Sequence, residues 1–157
     1  MGSNPIRALC SGALVVHHCG PRVRHTTHDR RGAGPARGEW SLNDVLAHLR
    51  SCSDMWGTYI ATILAEDRPT IRAMNPTTWI KHTSYPDLDF GPSFRAFAKQ
   101  WAELLALLRT LPTAAWSRTA LVTGAGRPRE RTVFEYALWL ANHERSQVKH
   151  ITRVVKG

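Results

Sequence analysis

A chain of 157 residues, 43% of them hydrophobic, is long enough for one domain with a real core and too short for two comfortable ones. The formal charge of +9 ordinarily suggests nucleic acid or an anionic membrane as a partner, but it is unevenly placed. Residues 1–38 hold six arginines against Asp29 alone, while the remainder holds fifteen Lys and Arg against eleven acids.

That first stretch also lacks every aromatic residue; all six tryptophans, from Trp40 to Trp139, lie beyond it. It is rich in Gly, Pro and Arg, so residues 1–38 are expected to be a disordered basic segment with at most a short helix near Pro5 to Val16. The apolar run Ala8–Val16 has the length of a signal-peptide core, but it leads into His17, His18 and Cys19 rather than a small-residue cleavage site. Cys10, Cys19, His25 and His28 have spacings that match no common zinc module and lack apolar residues to pack around an ion. No aromatic residue stands among the arginines and no recognition helix follows, so nucleic acid is not the expected partner.

A domain is expected over residues 39–157. Ser41 with Asp44 reads as a capping box. Leu42, Val45, Leu46, Leu49, Cys52, Trp56, Ile60 and Ile63 then recur at helical spacing until Pro69, predicting an amphipathic helix of about 25 residues. Prolines 69, 76 and 86 mark a loop with at most one short helix around 76–82. Pro92 suits the first turn of the next helix, whose stripe is Phe94, Phe97, Trp101, Leu104, Leu105, Leu108 and Leu111, with Pro112 ending it. Ala120–Thr123 reads as a brief extended piece, and Gly124-Ala125-Gly126 as a turn without the spacing or lysine of a phosphate loop. Thr132 and Glu135 form a second capping box, opening a helix that continues to the C-terminus. Three long amphipathic helices predict an all-α, up-down-type bundle, whose ligand sites sit between facing helices.

Three cysteines cannot make a disulfide framework and leave at least one thiol free, which fits a reducing, cytoplasmic compartment. No run approaches the roughly 20 apolar residues that span a bilayer, so no membrane association is expected.

His48 lies in line with Cys52, Met55 and Tyr59 at the edge of the first stripe, where a lone histidine is more often a packed residue than a ligand. On the last helix His143, Gln147 and His150 share a face. His143 and His150 are about 10.5 Å apart along the axis, too far to hold one ion, whereas residues four apart can converge. Ser51 and Ser53 show no Ser-His-acid order.

The run GEWSLNDVLAHL resembles the opening motif of the DinB-like superfamily, small bacterial four-helix bundles with a metal-binding histidine triad. ILAEDRPTI, SFRAFAKQWAELLALLRTLPTAAWSR and RTVFEYALWLANHERSQVKHI agree with the family in the same order, so the resemblance covers residues 38 to 155. It implies a divalent ion, zinc or nickel, with His48, His143 and Gln147 at the ligand positions and Glu144 and Tyr59 as candidates for an outer role. Gln147 departs from the family's histidine and is a poorer ligand, while His150 stands where the family often has Gln. The resemblance further implies metal-dependent chemistry on a small molecule, of the thiol-dependent transferase or hydrolase type. The family's first helix falls in the basic segment and is missing or poorly formed here, leaving an apolar groove that invites a homodimer. The alternative is a non-catalytic bundle with a decayed site, acting as a dimeric or basic-tailed binding protein.

Overall fold

The computed structural model describes residues 40–156, with the side chains of 148 and 150–156 outside the description. The expectations for residues 1–38, and for the side chain of His150, therefore lie outside the described residues. Helix α1 (Leu42–Ala65) opens on the expected capping box: the Ser41 hydroxyl accepts from Asp44 N–H, and the Asp44 carboxylate accepts from Ser41 N–H at 2.9 Å. Its stripe is the spine of the molecule, and Val45, Leu46, Leu49, Cys52, Ile60 and Ile63 are each at most 3% exposed.

After α1 come a strand, β1 (Thr70–Arg72), a single helical turn, α2 (Pro76–Trp79), and two short 3-10 turns at Ile80–His82 and Tyr85–Asp87. Helix α3 (Phe90–Thr110) has Pro92 in its first turn, as expected. Only Phe97 and Leu108 of its expected stripe are fully buried, while Phe94, Trp101 and Leu104 are partly covered. A 3-10 turn (Thr113–Ser117) leads to strands β2 (Thr119–Thr123) and β3 (Arg129–Thr132), and helix α4 (Val133–Lys156) closes the chain. The second capping box forms as expected: Glu135 N–H donates to the Thr132 hydroxyl at 3.0 Å, and the Glu135 carboxylate accepts from Thr132 N–H at 2.7 Å.

The helical bundle carries a small sheet in the order β1-β2-β3, in which β2 contains the extended piece expected at Ala120–Thr123 while β1, β3 and their pairing are additions to the expected plan. β1 pairs parallel to β2 (Ile71 opposite Val122), and β2 pairs antiparallel to β3 (Ala120 opposite Arg131). β1 and β3 are too short for a period-2 pattern to stand out from loop residues. Ile71, Ala120 and Val122 are buried and extend the main core, which joins α1 to α4. A second cluster of Val45, Leu46, Leu49 and Phe97 seals the opening turns of α1 against α3.

Side chains fasten the sheet to α1. The Tyr59 hydroxyl donates to Arg72 O and accepts from Met74 N–H at 3.0 Å. Arg118 donates to Ile63 O at 2.9 Å and to Glu66 O at 2.7 Å, satisfying carbonyls that the helix end leaves without intrahelical partners. Among the described residues, no helix is long and apolar enough to cross a membrane.

Candidate metal centre

The packing of α1 on α4 brings together side chains 95 positions apart in sequence: His48 Nε2 and His143 Nε2 are 3.1 Å from each other. His48 projects from the edge of the α1 stripe, and His143 lies beyond the buried run Val133, Ala137, Leu140 and Ala141. Both rings are half-buried, so they are walled by protein but open to solvent on one side. The walls are aromatic: Trp40 meets His48 edge-on at 5.0 Å between centroids, Trp56 meets His143 at 5.2 Å, and Trp139 stacks on Trp56.

Burial shapes the protonation of the pair. Loss of solvent lowers the pKa of both imidazoles, that of His143 to about 4 with His48 adding to the effect. Both rings are thus neutral at pH 7, the form that coordinates a metal. His143 Nδ1 is buried without a hydrogen-bond partner among the described residues, so the polar contacts of that ring are made through Nε2.

A third group belongs to the cluster. Cys52, one turn after His48 and fully buried, places Sγ 3.7 Å from His48 Nε2 and 3.9 Å from His143 Nε2. The donor atoms of His48, Cys52 and His143 all lie within 4.8 Å of one another. The sequence reading placed Cys52 in line with His48 but counted it as core; i, i+4 spacing from a candidate ligand was the signal that could have singled it out. Gln147 is half-buried on α4, one turn beyond His143.

The two candidates for an outer role separate. Tyr59 is committed to the backbone of 72–74 and packs its ring on Tyr136, away from the imidazoles. Glu144, next to His143, is 4% exposed and accepts from Ser53 Oγ at 3.3 Å. Desolvation pushes its carboxyl up to about 8, only partly opposed by the Ser53 bond, so it holds its proton at neutral pH. The Cys52 thiol is pushed up to about 12, first by burial and then by Glu144. A separate cleft lined by Asp54, Met74, Trp79, His82, Thr83 and Tyr85 is not part of this centre. Asp54 is two residues beyond Cys52, about 200° around the helix.

A family model described as the DinB superfamily matches residues 22–151, beginning ahead of Trp40 within the basic segment. No curated protein matches the chain. Among solved structures, it is similar to YfiT from Bacillus subtilis, described as "a probable metal-dependent hydrolase with an unusual four-helix bundle topology". The two are 18% identical, with a TM-score of 0.62 over 97% of this chain and 82% of that one, a likeness of fold.

Proposed function

The chain belongs to the DinB superfamily, and from that we propose that it is a divalent-metal-dependent enzyme acting on a small molecule, of the hydrolase or thiol-dependent transferase type. The observation that carries the reading is the facing pair of imidazole nitrogens, His48 Nε2 and His143 Nε2, 3.1 Å apart at a half-buried, solvent-open edge between α1 and α4. Two imidazole nitrogens this close suit a shared cation, since a tetrahedral zinc holds two such nitrogens about 3.4 Å apart.

In this reading His48 and His143 hold the ion as neutral ligands. When bound, it lowers the pKa of a water or thiol and so supplies a nucleophile at neutral pH. The protein's own part is positioning and exclusion. Trp40 and Trp56 fix the ring planes by edge contacts, and the aromatic wall gives an apolar substrate surface beside the polar donors. Ser53 and Glu144 lie behind His143 in the core, where the neutral carboxyl adds no charge to the site at pH 7.

The rival reading, a non-catalytic bundle with a decayed site, draws on Gln147 standing where the family has histidine. Metal analysis of untagged, full-length protein separates the two. Near-stoichiometric zinc or nickel in the parent protein, lost in His48→Ala and in His143→Ala, is the expected result. A parent protein that neither retains nor takes up a divalent ion removes the enzyme reading.

A further inference from the structure

Two imidazoles alone hold a divalent ion weakly, and structure and sequence offer different third donors. The sequence offers the amide oxygen of Gln147; the structure brings Cys52 Sγ into contact with both rings. Resting on the reading of this cluster as a metal centre, we propose that Cys52 is the third ligand, making a His-Cys-His site in which a core thiol takes over from the histidine that Gln147 replaces.

The donor triangle carries the proposal. For a tetrahedral zinc with Zn–N of about 2.05 Å and Zn–S of about 2.3 Å, two nitrogens lie about 3.4 Å apart and a sulfur and a nitrogen about 3.6 Å apart. The observed edges are 3.1 Å between the nitrogens and 3.7 Å and 3.9 Å from the sulfur. Each differs from the ideal by a few tenths of an ångström, within reach of small side-chain rotations.

Cys52 Sγ also stands 3.9 Å from His48 Nδ1, so hydrogen bonds can link the three side chains when no ion is bound. A cation satisfies all three donors together.

The chemistry of the donor set favours the same assignment. A thiolate is a stronger ligand than a neutral amide for borderline ions such as zinc, and sulfur with imidazole disfavours the oxygen-seeking magnesium and manganese. As the sulfur–metal bond forms, the S–H bond breaks and its proton leaves to solvent, so one thiol proton is released per ion bound. His48 and Cys52 stand four apart on α1, and the helix presents both toward α4. Three protein ligands leave a fourth position open, the arrangement of a catalytic rather than a structural zinc.

The test uses the full chain carrying Cys10→Ser and Cys19→Ser, so that Cys52 is the one thiol left of the three. Titration with cobalt(II) should give a one-equivalent end point with an intense near-ultraviolet sulfur-to-cobalt charge-transfer absorption. This signature is read on protein that retains Cys52 and so does not depend on any Cys52 variant folding. Cys52→Ser should abolish the band and weaken zinc binding by more than the roughly 10–100-fold typical of losing an outer partner. Gln147→Ala should leave both unchanged. Stoichiometric cobalt binding with weak d–d bands alone overturns the assignment of Cys52 and leaves the metal reading standing, as does loss of metal in Gln147→Ala but not in Cys52→Ser. Absence of cobalt and zinc binding in the parent overturns both.

Discussion

Replacing Glu144 by Gln should flatten a pH dependence that the folded protein owes to a carboxylic acid buried beside the candidate centre. Glu144 is 4% exposed and its carboxyl is pushed from 4.5 up to about 8. Below pH 4.5 the group is protonated in both folded and unfolded chains and contributes nothing to the pH slope. Between 4.5 and 8 the unfolded chain ionises while the folded one keeps its proton, so stability falls as pH rises. A shift from 4.5 to about 8 corresponds to a ceiling of about 5 kcal/mol, fully lost above pH 8, at about 1.4 kcal/mol per pH unit. His48 and His143, whose pKa values are lowered, act in the opposite sense, with stability rising as pH climbs toward 6.5. They are common to both proteins and cancel in the difference. The assay is urea unfolding of chelator-treated parent and Glu144→Gln from pH 5 to pH 9. Gln keeps an acceptor for Ser53 Oγ, although its buried amide N–H₂ carries a desolvation cost that offsets the difference by a pH-independent amount. The free-energy difference between the proteins should therefore shift by several kcal/mol in favour of the variant across that range. Parallel pH profiles would refute the burial argument.

Arg118→Met should retain much of the aliphatic packing but strip Ile63 O and Glu66 O of their donor, costing about 1–3 kcal/mol in chemical denaturation. Thr132→Ala should cost about 1 kcal/mol by removing the hydroxyl that caps α4. Thr132 N–H, followed by Arg131 and the Thr132 hydroxyl, holds the Glu135 carboxyl below its ordinary range against a smaller opposing effect of burial. The stability from Glu135 is thus present above about pH 4.5 and lost as pH falls through its folded pKa, so Glu135→Gln should show a shallower acid limb in circular dichroism. Gly124→Ala and Gly126→Ala should both cost about 1–2 kcal/mol from their φ near +83° and +84°. Gly124→Ala should cost more, because its Cβ would stand 3.1 Å from Arg72 Cγ and 3.3 Å from Ala73 O, whereas Gly126 has open space; equal melting temperatures would remove the steric argument.

The long helices were legible because each carries two redundant signals, an apolar stripe of helical period and a capping box or proline at its start. Ser41 with Asp44 and Thr132 with Glu135 mark starts that the hydrogen bonds reproduce. Of the sheet, the extended piece Ala120–Thr123 was legible and forms most of β2, but its partners β1 and β3 were not, for the opposite reason. β1 is three residues long, and what makes it a strand is its pairing with residues 121–123, far along the chain. β3, Arg-Glu-Arg-Thr, has no apolar residue at all and is held by its backbone partners on β2. Pairing between distant segments leaves little trace in local periodicity.

The centre divides along the same line. His48 and His143 could be singled out because histidine at the edge of an apolar stripe is chemically conspicuous and the family resemblance points to both positions. Cys52 occupies a place in the α1 stripe that reads as an ordinary apolar position, and by composition a buried cysteine is a small hydrophobe. What distinguishes it is the crossing of α1 and α4, which sets its sulfur against both imidazoles. One helical position thus serves the core and the candidate centre together. That dual service lets Cys52→Ala separate the two roles: the small apolar replacement should cost far less in stability than a buried hydroxyl, yet remove the thiolate altogether. A protein that folds with Cys52→Ala but binds zinc more weakly would place the chemistry in the sulfur, and unchanged zinc affinity would return Cys52 to the core.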